Sequence, residues 1–162
     1  MLASLISMFS FAGRSNRAGF LATALVIGAL QLAGGALLLS VAETLRGVAE
    51  VVLGGAITWM LFAAVVKRLH DIDRSAWSLL AGLGLTFAGT LLAAFVGVAL
   101  YPLERLVVPS AELAVVLMIA SAVPLTLLTW LHAVPGDDGA NAYGAPPASH
   151  ARVSLSPGPE GA

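Results

Sequence analysis

The sequence predicts an all-α membrane protein with four transmembrane helices. Of its 162 residues 59% are hydrophobic and only 10% are charged, and the mean hydropathy is +0.94. Because a soluble domain carries ~25% charged residues, this chain lacks the charge needed to cover itself with a water-compatible surface. In addition, four stretches of the chain approach or exceed the ~20 apolar residues that cross a bilayer as a helix.

The four predicted spans cover residues of about 18–42, 47–66, 75–101 and 113–134. Together with a short N-terminal helix they make residues 1–147 one transmembrane domain. The first 11 residues are apolar, but arginines follow this run instead of preceding it, which is not the order of a cleaved signal peptide. We therefore expect a short interfacial helix there. Residues 148–162 contain prolines and glycines without apolar periodicity, which predicts a flexible, disordered tail.

The distribution of basic residues predicts the orientation of the chain in the membrane. One side would carry Arg14, Arg17, Lys67, Arg68, Arg74 and Arg152, and the other side only Arg46 and Arg105. Because lysine and arginine concentrate in cytoplasmic loops, both termini and the central loop are expected to be cytoplasmic. Alanine, glycine and leucine are abundant, and seven of the eight basic residues are arginine, which indicates a bacterial protein. The predicted location is thus the bacterial inner (plasma) membrane, with the lipid bilayer as its first partner.

Composition also narrows the functional class. The net charge of −1 and the lack of a basic run argue against a nucleic-acid partner. The central parts of the spans contain no Asp, Glu, Lys or Arg, which argues against an ion-coupled transporter but leaves a passive pore open. Gly89, Ala93 and Gly97 repeat every four residues. That spacing suits either a homo-oligomer interface or packing within one chain.

Three polar motifs interrupt the apolar sequence, and the predicted topology places all of them on one side. They read FAGRSNR from Phe11, RLHDIDRSAW from Arg68 and PGDDGANAYGAPP from Pro135. In this order around four apolar spans, they resemble the bacterial inner-membrane family called domain of unknown function 805, over residues of about 9–147. The matching positions are Phe11, Gly13, Arg14, Arg17, Arg68, Leu69, His70, Asp71, Ser75, Trp77, Gly139, Asn141, Tyr143, Gly144 and Pro147. The resemblance implies an integral membrane protein and no known activity.

We expect the charged and polar residues of these motifs to form one network on the cytoplasmic face. Its predicted members are Arg14, Arg17, Arg68, His70, Asp71, Arg74, Asn141 and Tyr143. On a helical turn Arg68 can pair with Asp71, and His70 can approach Arg74. Ser75 precedes an apolar run and is the expected N-terminal cap of the third span.

The network supports two interpretations, a purely structural one and the binding of an anionic lipid headgroup or a membrane-protein partner. A small oligomeric channel or passive transporter is the alternative function. A membrane enzyme using His70 and Asp71 is disfavoured, because sequence neighbours rarely align as a dyad and the G-x-S-x-G motif is missing. The spacing of His70, Asp71, His132 and Asp137 matches no zinc pattern. The sequence thus predicts no catalytic residue, no metal site and no cofactor.

Overall fold

Helices account for nearly all regular structure in the described part of the chain. The structure is a computed structural model that describes residues 2–147, with side chains from residue 6 onward. Its α-helices are α1 (Leu2–Phe9), α2 (Arg17–Leu38), α3 (Glu43–Asp71), α4 (Trp77–Leu100) and α5 (Ala111–Ala133), with a 3₁₀ turn at Leu103–Arg105. No β-strand is found among the described residues, where the only β pairing is an isolated bridge between Asn141 and Gly144. The prediction of an all-α fold is thereby confirmed for the described residues.

Four of these helices are long and apolar enough to cross a membrane. The most apolar 18-residue windows of α2 to α5 have mean hydropathies of 1.9 to 2.2. Few residues of those windows are buried inside the protein, and large side chains such as Leu32 and Phe95 are exposed. So much exposed apolar surface needs an apolar solvent. The prediction of four spanning helices in a lipid bilayer is therefore supported by length, composition and exposure together.

The helix bounds differ from the predicted spans mainly at α3, which runs from Glu43 to Asp71 instead of 47–66. The charged residues Glu43, Glu50 and Lys67 lie within the helix itself. A helix continues for as long as its backbone hydrogen bonds do, so charged residues mark the ends of the apolar part only. A short N-terminal helix, α1, is present, whereas its position at a membrane surface stays a prediction. The predicted tail, 148–162, lies outside the described residues.

The chain divides into two compact units. The first contains residues 2–74 and 135–147, so the polar segment after α5 belongs with the N-terminal half of the chain. In it α2 packs along α3, and α1 also contacts α3. Asn16 caps α2 by accepting a hydrogen bond from the Gly19 amide at 2.7 Å.

The second unit, residues 75–134, is a helical hairpin of α4 packed on α5. Ser110 caps α5 by accepting a hydrogen bond from the Leu113 amide at 3.1 Å. The small residues of α4 form the contact: Ala93 is buried, and Gly89 and Gly97 lie against valines of α5. Of the two interpretations of this spacing, packing within the chain is the one that the hairpin supports.

Replacing Gly97 with leucine should separate the two helices of the hairpin. A Cβ atom at this position would lie 2.7 Å from Val116 Cγ2, and overpacking of this kind costs about 1–3 kcal/mol. We expect a lower unfolding temperature of the purified protein in detergent. Gly84→Leu is the matched control on the same helix, because nothing lies within 4 Å of a Cβ there. Equal stability of both variants would contradict the packing role of Gly97.

Candidate functional site: a buried Arg–Asp–Arg cluster

The candidate site is built around the C-terminal end of α3. After Ile72 the chain turns through Asp73, whose φ of 54° is left-handed. The Arg74 amide bonds to the Leu69 carbonyl at 2.8 Å, and the Asp73 amide bonds to the His70 carbonyl at 3.3 Å. This is the Schellman arrangement, with aspartate where glycine is usual. It ends the helix sharply at Asp71 and points the next residues away from the helix axis.

Asp71 is the centre of the site, and its side chain is fully buried. Its Oδ1 accepts a hydrogen bond from Arg14 Nε at 3.2 Å and lies 3.1 Å from Arg14 Nη2. Its Oδ2 accepts from Nη1 of Arg68, one turn earlier on α3. Arg68 is fully buried, and the Arg14 side chain is 1% exposed. One buried carboxylate thus faces two buried guanidinium groups, and we call these three residues the Asp71 cluster.

Arg14 connects three segments of the chain through its guanidinium. Its Nη1 donates to the carbonyls of Gly139 at 2.6 Å and Gly144 at 3.3 Å. Its Nη2 donates to the carbonyls of Asp71, at 3.4 Å, and Asp137. With the bond from Nε, these contacts occupy all five N–H groups that an arginine side chain has. Arg14 therefore has no donor left for a ligand in this structure.

The segment after α5 is held on the same helix end by its own polar groups. The Asp137 amide bonds to the Asp71 carbonyl at 2.8 Å. Asn141 Nδ2 donates to the His70 carbonyl at 2.8 Å, and Asn141 Oδ1 accepts from the Tyr143 amide at 3.0 Å. The ring of Tyr143 stacks on that of His70, with centroids 3.9 Å apart and planes 4° from parallel. Carbonyls that the end of α3 would leave unpaired thereby gain partners.

Gly136 packs directly against the Asp71 carboxylate. A Cβ atom there would lie 2.0 Å from Asp71 Oδ2 and 2.6 Å from its Cγ. Two other glycines allow the turns that bring carbonyls to the site, because Gly13 has φ +89° and Gly144 has φ +121°. The carbonyl of Gly13 lies 3.2 Å from His70 Nδ1. Glycine is thus required at Gly136 by space and at the other two positions by backbone conformation.

The segment between α1 and α2 lies along α3 on the other side of the cluster. The Ser15 amide bonds to the Lys67 carbonyl at 3.1 Å, and Lys67 Nζ donates to the Ser7 carbonyl at 2.8 Å. Further along α3, Trp59 Nε1 donates to the Phe9 carbonyl at 3.0 Å. These contacts fix residues 7–15, and so they hold Arg14 in place.

The structure brings together six of the eight predicted network residues: Arg14, Arg68, His70, Asp71, Asn141 and Tyr143. Arg17, on the first turn of α2, is exposed and close enough for its charge to act on Arg68. Arg74 is exposed and makes no side-chain hydrogen bond or ion pair with any described residue. The expected approach of His70 to Arg74 fails because the helix ends at Asp71, so helical spacing does not apply.

The predicted cap of α4 is also wrong in its detail. The helix begins at Trp77 after Ala76, and no side chain caps it. Ser75 contributes through its backbone, since its carbonyl accepts the Ser78 amide at 3.0 Å. The capping side chains that the structure does contain, Asn16 and Ser110, were missed, although both are preferred cap residues directly before an apolar run. Gly136 and Asp137 were missed too, and no spacing rule links them to Asp71.

The geometry of the cluster suits structural fixation. Among the described residues no hydrogen bond joins His70 to the Asp71 carboxylate, which pairs with Arg14 and Arg68. Within residues 2–147, no group of three His, Asp or Glu side chains is placed to hold a metal ion. Breaking a buried ion pair of this kind costs about 3–5 kcal/mol. The cluster can thus hold the segment before α2 and the segment after α5 on α3.

Four spanning helices and a polar cluster at the end of one of them define a multi-pass membrane protein. The family described as "Protein of unknown function (DUF805)" matches residues 8–145, and the chain belongs to this family. The resemblance found from the three motifs is thereby confirmed. Comparisons with curated proteins and with solved structures give no match.

Proposed function

We propose that this protein resides in the bacterial inner membrane with both ends in the cytoplasm, and that it acts by binding instead of catalysis. In this proposal the Asp71 cluster is structural. It fixes the segments before α2 and after α5 on α3, and so it shapes a rigid cytoplasmic face. That face binds the headgroups of anionic lipids or a membrane-protein partner.

The observation that supports this proposal is the complete use of Arg14 by the protein itself. Its five N–H groups all bond to carbonyl or carboxylate oxygens. Arg14 would therefore have to break these hydrogen bonds in order to bind a phosphate. Arg17 and Arg74 instead keep exposed positions around the cluster. Arginine and lysine at the cytoplasmic surface attract anionic headgroups with about 1 kcal/mol each. The cluster thus holds the fold, and the arginines around it are the groups that a ligand can reach.

The cytoplasmic position of this face can be tested with single cysteines, since the chain has none of its own. Thr44 lies in the first turn of α3. We expect Thr44→Cys to react with a membrane-impermeant maleimide in intact cells. Ser75→Cys, which directly follows Arg74 in the sequence, should react only after lysis. Labelling of Ser75→Cys in intact cells would show that the topology is the reverse of the proposed one, and it would contradict a cytosolic partner.

The binding role can be tested with the double variant Arg17→Gln/Arg74→Gln. It should lose several-fold of the co-purifying anionic lipid or partner protein, because two exposed charges are removed while no residue of the Asp71 cluster is replaced. Its unfolding temperature should stay close to that of the wild type. Arg14→Gln is the contrasting variant, and its unfolding temperature should be clearly lower than that of the wild type. Retention of the same lipids and proteins by the double variant would contradict the proposed face.

A further inference from the structure

A second polar site lies in the first unit, away from the Asp71 cluster, in a groove between α2 and α3. Its volume is about 440 Å³, and we call it the Arg46 groove. Polar side chains enter it from both helices: Gln31, Arg46, Glu50 and Thr58. Gly35 and Gly54 also line it, and nothing lies within 4 Å of a Cβ atom built on either. The groove is therefore open because these two positions lack side chains.

Arg46 is only partly satisfied where it enters the groove. Its Nη2 donates to the carbonyl of Val41 at 3.2 Å and, more weakly, to that of Leu39 at 3.5 Å. Its Nε is buried and has no hydrogen-bond partner in the described part of the chain. A buried donor without an acceptor is costly. An oxygen-rich anion in the groove would supply the missing acceptor.

Glu50 lies one turn further along α3 and lines the same groove. It is exposed, and no described residue forms a hydrogen bond or ion pair with its carboxylate. Residues four apart on a helix can pair, yet Arg46 and Glu50 do not. One groove thus offers a positive and a negative group about 6 Å apart along the helix axis. A ligand carrying both an anionic and a cationic group would complement the two.

The length of the groove indicates what else this ligand carries. From Arg46 to Thr58 the helix rises roughly 18 Å, more than half of the ~30 Å hydrocarbon thickness of a bilayer. Leu53 and Ile57 line this deeper part. A compact zwitterion such as an amino acid would fill only the charged end. A headgroup with an attached acyl chain would fill the whole groove.

We propose that the Arg46 groove binds one molecule of a zwitterionic phospholipid whose headgroup ends in a primary amine, as in phosphatidylethanolamine. The phosphate accepts hydrogen bonds from Arg46, including one from its Nε. The ammonium group donates to the Glu50 carboxylate. One acyl chain follows α3 past Gly54, in the space that the two glycines leave open.

The experiment is native mass spectrometry of the delipidated full-length protein with phosphatidylethanolamine, phosphatidylglycerol or free O-phosphoethanolamine added. Glu50→Gln should weaken phosphatidylethanolamine binding roughly tenfold or more, since the hydrogen bond from the ammonium group loses its charged acceptor. Gly54→Leu should weaken it at least as much by filling the groove. Binding of phosphatidylglycerol should change in neither variant, because it lacks the amine and its sites elsewhere are untouched.

Gly55→Leu is the matched control. Nothing lies within 4 Å of a Cβ there either, and Gly55 does not line the groove, so this variant should bind like the wild type. The proposal is overturned if Gly54→Leu and Gly55→Leu bind phosphatidylethanolamine equally. It is also overturned if Gly54→Leu weakens phosphatidylglycerol as strongly, which would mean an unselective anion site. Equally tight binding of free O-phosphoethanolamine would overturn the role of the acyl chain and leave a water-soluble zwitterion as the ligand.

Discussion

Asp71→Asn should destabilise the protein more than any other single exchange of a charged residue. The substitution keeps the size of the side chain but removes the only negative charge of the Asp71 cluster. Arg14 and Arg68, both almost completely buried, then both lose the carboxylate with which they pair. Removing one partner of a buried ion pair costs about 3–5 kcal/mol. We expect a correspondingly lower free energy of unfolding, measured by denaturant titration of the purified protein in detergent micelles.

Asp73→Asn is the control for this substitution. Asp73 is exposed and has a left-handed backbone, a conformation that asparagine also adopts readily. Its exchange should change the unfolding free energy by less than about 0.5 kcal/mol. If Asp71→Asn were as stable as Asp73→Asn, the cluster could not be the structural centre of the fold.

A double-mutant cycle separates charge pairing from simple packing. Arg14→Met and Asp71→Asn each break the same ion pair, so the cost of the double variant should fall short of the sum of the single costs. Residues in direct contact show couplings of about 0.5–3 kcal/mol in such cycles. A coupling near zero would mean that the carbonyl contacts of Arg14, and not its ion pair, provide the stabilisation.

The four spanning helices could be predicted from the sequence because a membrane imposes a simple requirement. A run of apolar residues long enough to cross a bilayer has one stable conformation there, with its backbone groups bonded internally. The helix ends were harder to predict. The predicted second span is 47–66, yet α3 runs from Glu43 to Asp71, since charge alone does not break backbone hydrogen bonds.

The members of the candidate site were largely predictable, and their roles were not. The pairing of Arg68 with Asp71 follows from helical spacing, and the structure contains it. All the donors of Arg14 find acceptors because residues 137–144 fold back on the end of α3. There they meet Arg14, more than 120 positions away in the sequence. No local pattern encodes such a contact. Arg74, which has the right chemistry, lies outside the cluster because the turn at Asp73 directs the chain away.

Gly136 also lies against the site through a contact that no local sequence pattern encodes. Its exchange should have the second largest destabilising effect. An added Cβ would overlap Asp71 Oδ2, at 2.0 Å. Elsewhere a carboxylate could move aside, but here Arg14 and Arg68 hold its two oxygens and no solvent reaches it. The segment that carries Gly136 must therefore move instead. Gly136→Ala should lose the bond from the Asp137 amide to the Asp71 carbonyl, and with it the docking of residues 137–144.

Hydrogen exchange read by mass spectrometry measures this displacement directly. In the wild type the amides of Asp137, Asn141 and Gly144 are hydrogen-bonded, and such amides exchange only when the segment opens. In Gly136→Ala we expect peptides covering residues 135–147 to exchange about tenfold faster or more, since each 1.4 kcal/mol lost from the docked state is a factor of ten in the open population.

Gly139→Ala is the matched control within the same segment. Nothing lies within 4 Å of a Cβ at Gly139, and its φ is not left-handed. Alanine there should keep the protection of the segment, or even raise stability by about 0.4–1 kcal/mol through a less flexible unfolded chain. Equal exchange in both variants would show that the segment does not depend on the Asp71 cluster for its position. Faster exchange in Gly136→Ala alone would mean that one methyl group against a fixed carboxylate is enough to release it.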